Sequence, residues 1–148
     1  MALTIDKDAI REAYDDVRSN NSETEWAVFK FEGNNLNVTS YGTEFKEFKS
    51  SFTNDDRGFG FIRINTGDEM SKRAKFVFVT WIGSSVSPMK RAKMSTTKAE
   101  VKLIIQNFSV EVQPDDHHEF TYDKIKALVD KAGGANYGTG KRSDGTGV

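Results

Sequence analysis

Two histidines, a few glycine-rich turns and two clusters of cations are the residues whose types and spacing bear on chemistry. His117 and His118 adjoin Asp115, Asp116 and Glu119. Imidazole beside carboxylate is a donor set for a metal ion, yet these residues crowd into one acidic loop, where an exposed surface pair is the simpler reading. There are only two His and no Cys in 148 residues, which removes disulfides, thiolate catalysis and Cys- or His-rich metal centres. Gly138-Thr139-Gly140-Lys141 brushes against a phosphate loop but lacks the leading glycine spacing and has Arg142 where Ser or Thr is needed. Gly58-Phe59-Gly60 has no third glycine. No Ser or Thr sits in a nucleophile elbow, and no two carboxylates share an apolar setting that would raise a pKa. The chain reads as no enzyme, with no metal and no cofactor.

The cations remain. Lys72, Arg73 and Lys75 precede an apolar run at residues 76–82, and Lys90, Arg91 and Lys93 follow Ser87-Pro88, a helix-start signal. Cations in a first helical turn face the positive end of the macrodipole and cost about 0.3–1 kcal/mol each, so they read either as a solvated surface face that carries wrong-sign charge or as a docking surface for an acidic partner. With 21 basic and 22 acidic residues the formal net charge is -1. A bulk polyanion binder is usually strongly basic, so no nucleic-acid role is expected and any membrane role must rest on a local patch.

The elements that position these clusters follow from periodicity. Residues 6–18 read as a helix with Ile10, Ala13, Tyr14 and Val17 inward, capped by Asp6 and stapled by Ile5 and Ile10. Residues 26–31 and 36–39 read as a hairpin, 43–52 as a short helix showing Phe45, Phe48 and Phe52, and 59–65 as a strand. The run at 76–82 predicts a strand buried on both faces, hence central in a sheet covered by helices on both sides. Residues 87–108 read as one helix whose second half carries Val101, Ile104, Ile105 and Phe108 on a single face, with Lys98 and Lys102 sharing another side. A short strand at 109–113 and a helix at 121–132 follow, the latter ended by Gly133-Gly134. The order α, β, β, α, β, β, α, β, α predicts an α/β fold of the α+β type, one domain over residues 1–136, with a flexible Gly-rich tail at 137–148. An antiparallel return of the long helix would leave the two basic clusters as separate contacts along one elongated surface. The amphipathic, acidic N-terminus is not a signal peptide and no apolar run spans a bilayer, so a cytoplasmic protein without a transmembrane segment is expected.

Four stretches together, IDKDAIREAYDDVR, TGDEMSKRAKFVFVTWIG, RAK followed by VKLIIQNF, and KAGGANY, make the chain resemble the actin-depolymerising-factor homology (ADF/cofilin) family, and within it the coactosin-like members, from about residue 5 to 137. The resemblance implies a central mixed sheet flanked by helices, and binding to F-actin, in the cytoskeleton, without catalysis. Its basic-x-basic-Met pattern is matched by Arg91-Ala92-Lys93-Met94, and its filament-side contact by Lys72, Arg73 and above all Lys75, with Lys102 as a further candidate. Ser95-Thr96-Thr97 stands where cofilins carry a longer stretch with a Tyr, which implies filament binding without strong depolymerising or severing activity. The competing reading is a phosphoinositide or anionic membrane-surface binder that uses the same basic patch. A monomer is expected.

Overall fold

The computed structural model describes residues 3–67, 73–114 and 116–138, with side chains as far as 132. Its elements are β1 (Thr4–Ile5), α1 (Lys7–Arg18), β2 (Trp26–Glu32), β3 (Asn35–Gly42), α2 (Phe45–Ser50), β4 (Arg57–Thr66), β5 (Arg73–Ile82), α3 (Pro88–Val101), β6 (Val110–Val112) and α4 (Tyr122–Gly138). The strands form one mixed sheet in the order β1-β3-β2-β4-β5-β6. The four middle strands are antiparallel neighbours, while β1 joins β3 and β6 joins β5 in parallel.

Alternation along each strand divides the core in two. Ala27 and Phe29 of β2, Phe59 and Phe61 of β4 and Phe78 of β5 face α1 and α3, meeting Ile10, Tyr14, Val17, Met94 and Val101. Their neighbours Trp26, Val28, Ile62, Ile64, Val77, Val79 and Trp81 face α2 and α4, meeting Phe48, Phe52, Phe120, Ile125 and Val129. Both faces of β5 are therefore buried, as its unbroken apolar run predicts. Gly60, part of the discarded glycine motif, serves this packing. A Cβ there would lie 2.7 Å from Phe48 Cζ, so only glycine lets the α2 aromatics press against β4.

Local rules account for the helix starts. Asp6 Oδ1 accepts the Ala9 N–H at 3.2 Å at the head of α1, and Ser87 Oγ accepts the Lys90 N–H at 3.3 Å at the head of α3, with Pro88 in its first turn. The ends depart from the periodicity. α3 stops at Val101, and residues 102–104 form a tight turn in which Ile104 and Ile105 both donate to the Val101 carbonyl. Ile104 and Ile105 are still buried, and Phe108 stacks on Phe78 with ring centroids 5.5 Å apart. Burial of the stripe was the information in the spacing, and a turn delivers it as well as a helix. α4 runs through Gly133 and Gly134 to Gly138, past the expected stop and into the expected tail. Two glycines cost a helix about 1 kcal/mol each relative to alanine, a preference that neighbouring turns override. β3 extends to Gly42, beyond the expected residue 39, and β1 was not foreseen because two residues carry no period.

Candidate functional site: two cationic ends of one strand–helix unit

β5 and β6 are parallel, so the chain leaving Ile82 must travel back along the sheet before entering β6. α3 makes that return. Its start, with Lys90, Arg91 and Lys93, lies near the end of β5, while Arg73 and Lys75 lie at the beginning. Ten residues of β5 set the separation at about 30 Å. The two clusters do not share a face, however. Arg73 and Lys75 have the parity of Val77, Val79 and Trp81, which face α2 and α4, whereas α3 packs on the opposite face. The expectation of one elongated surface is corrected: Arg73 and Lys75 lie at one end of β5 and the cations of α3 near the other, on opposite sides of the sheet.

At the first end, Arg73 is exposed and Lys75 half-buried. They line an open groove of about 870 Å3 together with Arg18, Arg63, Asn20 and Phe76. Arg63 is the organiser. Its Nε donates to Val17 O at 3.1 Å, Nη2 to Arg18 O at 2.9 Å and Nη1 to Asn20 Oδ1 at 3.1 Å, which holds the end of α1 against β4. Its guanidinium also lies 5.3 Å from the Phe76 ring centroid. One clamp thus satisfies carbonyls at a helix C-terminus and adds two arginines to the cationic wall. Neither Arg18 nor Arg63 was singled out from sequence. The only signal was a lone charge inside the apolar strand around residue 63. Lys72 lies outside the described residues.

At the second end, Lys90, Arg91 and Lys93 are all exposed. Arg91 Nη2 donates to Gly83 O at 3.0 Å, tying the start of α3 to the β5–α3 loop. Lys90 and Lys93 form no ion pair with a described residue. Met94, expected to face a partner, is 2% exposed and belongs to the core under α3, so that reading is corrected. Three to four residues separate same-side positions on a helix. Met94 therefore shares the inward side with Thr97 and Val101, whereas its chain neighbour Lys93 points about 100° away, and Lys90, one turn earlier, stands in the first turn of α3 and is exposed. On α3 it is Met89, 71% exposed, that faces solvent.

Lys102 is also placed differently. Its Nζ donates to Glu111 Oε1 at 2.6 Å, and Lys98 Nζ donates to Glu111 Oε2 at 2.9 Å. The shared side of Lys98 and Lys102 thus serves to fasten α3 to β6. Burial alone would raise the Glu111 carboxyl, but the hydrogen bonds from Lys102 and Lys98 outweigh it and hold the group below its ordinary 4.5. A carboxylate depressed in the fold contributes its full stability above the unfolded value and loses it as pH falls through the folded one. Glu111→Gln is expected to lower the unfolding free energy by about 1 kcal/mol at neutral pH and to flatten the loss of stability below pH 4.5. Urea unfolding at stepped pH measures both, and an unchanged acid slope would count against the assignment.

The histidine loop is structural. His117 Nε2 lies 2.6 Å from Phe52 O, which can only accept, so that nitrogen carries the proton, and the ring stacks on Trp81 at 5.2 Å. No cluster able to hold a metal ion occurs among the described residues, and no described helix is long and apolar enough to cross a membrane.

A mixed sheet thus lies between two helical layers, with exposed cations near two of its ends. Residues 2–130 match the family described as cofilin/tropomyosin-type actin-binding protein. The chain belongs to this family, whose members are actin-binding proteins and not enzymes. Human coactosin-like protein is 46% identical over 137 residues, which cover 93% of this chain and 96% of the relative. Crystal structures of the human coactosin-like protein superpose with a TM-score of 0.83 at 43% identity, covering 88% of this chain and 99% of that one. The solution structure of mouse coactosin, described as an actin filament binding protein, gives 0.77 at 44% identity, covering 93% and 96%.

Proposed function

We propose that this chain is a monomeric, cytoplasmic protein that binds along actin filaments, as part of the cytoskeleton, and neither depolymerises nor severs them strongly. The observation that supports this most is the pair of cationic ends about 30 Å apart on one strand–helix unit. Arg73 and Lys75 stand at one end, Lys90 and Lys93 at the other, with Arg91 positioning the helix start. Two separated basic contacts suit a repeating acidic polymer better than a small ligand, because each can meet a different part of the lattice. The relation to a mouse protein described as binding actin filaments points the same way. Lys72 adjoins the first contact in sequence and is assigned to it. Lys102 and Met94 are left out of direct contact, since one is engaged by Glu111 and the other is buried.

The absence of strong depolymerisation is supported by the outward side of α3. Ser95 and Thr96 are exposed, Thr97 is buried and donates back to Lys93 O at 3.1 Å, and no aromatic residue projects from this helix. Such a face offers Met89 and little else to an apolar cleft.

Co-sedimentation with actin filaments at low and raised salt tests the proposal. The protein is expected in the pellet at low salt and to move to the supernatant as salt rises, because exposed charges are screened beyond about 10 Å at 0.1 M. A protein that stays in the supernatant at low salt would overturn it. Flotation with phosphoinositide vesicles separates the competing reading, which strong vesicle binding without pelleting would favour.

A further inference from the structure

β3 is covered on its outer side only where it begins. β1 pairs with Asn35 and Leu36, and among the described residues no strand pairs with positions 37–42 on that side. β2 occupies the inner side along the whole strand. An open strand edge presents backbone donors and acceptors to any further strand. Two local devices blunt indiscriminate pairing here. A register shift opposite Val28 and Phe29 leaves Thr39 without a partner, and Asn37 Oδ1 takes the Val38 N–H at 2.7 Å. An incoming segment therefore needs side-chain recognition in addition to the backbone ladder.

Such recognition lies alongside. An open groove of about 630 Å3 separates α1 from this edge, floored by Ala9, Ala13 and Val38, with Tyr41 beside it and 68% exposed. Its other wall is acidic, formed by Glu12, Asp15 and Asp16. No cation lines the groove, and none of the three carboxylates forms an ion pair with a described residue. Glu12 and Asp16 are four apart on α1, where like charges destabilise a helix by about 0.2–0.5 kcal/mol. Folding gains nothing from that arrangement.

We propose that this groove docks an extended, lysine- or arginine-rich segment of a partner protein, added as a strand along residues 37–42 of β3 with its basic side chains on Glu12, Asp15 and Asp16. The spacing fits. Alternate residues of a strand recur about every 6.8 Å on one face, and residues four apart on a helix lie about 6 Å apart along its axis. A basic-x-basic segment thus meets Glu12 and Asp16 together, on the face that also carries Tyr41, while its intervening residue turns to the opposite face of the sheet. β2 and β4 lie between β3 and β5, so the groove is separate from Arg73 and Lys75.

The test titrates the full-length, 15N-labelled chain with a short synthetic peptide alternating lysine and valine. Amide shifts and slowed exchange are expected at residues 37–42 together with shifts along α1. Glu12→Lys with Asp16→Lys is expected to weaken binding about tenfold while leaving the circular dichroism unchanged. A glutamate–valine peptide and a backbone N-methylated lysine–valine peptide should both fail. Equal binding by either control, shifts confined to α1, or no response at millimolar peptide would overturn the proposal. So would sedimentation equilibrium showing a dimer paired through 37–42, since the edge would then belong to a second copy. None of these readouts uses actin, so they stand or fall apart from the filament reading.

Discussion

Replacing Trp81 by alanine is expected to remove about 3–5 kcal/mol from the free energy of unfolding. Trp81 is fully buried near the end of β5, and the segment after α2 and the loop before α4 converge on it. Its ring stacks on Phe52 at 5.7 Å and on His117 at 5.2 Å and lies tilted against Phe120 at 5.8 Å, and its Nε1 donates to Thr53 O at 2.7 Å. Truncation opens a cavity between rings that cannot collapse, since each is held by others, and it orphans the Thr53 carbonyl. Domains of this size are stable by about 5–15 kcal/mol, so the loss takes a large share of the whole. Trp81→Phe keeps most of the packing and isolates the hydrogen bond, with an expected loss of about 1–2 kcal/mol. Urea unfolding followed by circular dichroism and by Trp26 fluorescence measures both. A loss under about 1 kcal/mol for the alanine variant would mean that this corner repacks.

The largest effect on binding is expected from Arg73→Glu combined with Lys75→Glu. Neither side chain forms an ion pair with a described residue, so the fold should tolerate both changes with little shift in melting temperature. If these cations face acidic groups on a filament, reversal replaces attraction by repulsion at two points. About 3 kcal/mol of lost binding corresponds to a roughly 100-fold weaker affinity in the pelleting assay. Lys75→Ala alone should lose about tenfold, more than Arg73→Ala, because a half-buried cation is less screened than an exposed one. Lys75→Ala pelleting like wild type would sink the assignment of this end, while Lys98→Ala serves as a control on a lysine that the fold already uses.

The sequence by itself determined the order of the elements after β1 and the two-sided burial of β5. Residues 77–81 are buried without a break, and the stripes of α1 and of residues 101–108 point to the core, because side-chain period is a local property of the backbone. Residue type alone flagged the two basic clusters, and the one at the head of α3 stood out further because cations in a first helical turn oppose the dipole. Only the tertiary structure decided which of those cations are available. Lys98 and Lys102 are claimed by Glu111 from the next strand, and Arg91 leans on Gly83. Arg63 reaches Val17, 46 residues earlier, and so brings itself and Arg18 into the groove of Arg73 and Lys75. Met94 turns inward and Met89 outward because α3 rests on the sheet by one side only. Partners distant along the chain leave no period in the sequence. For the same reason the open edge of β3 and its acidic groove became visible only once β1 was seen to stop after two residues.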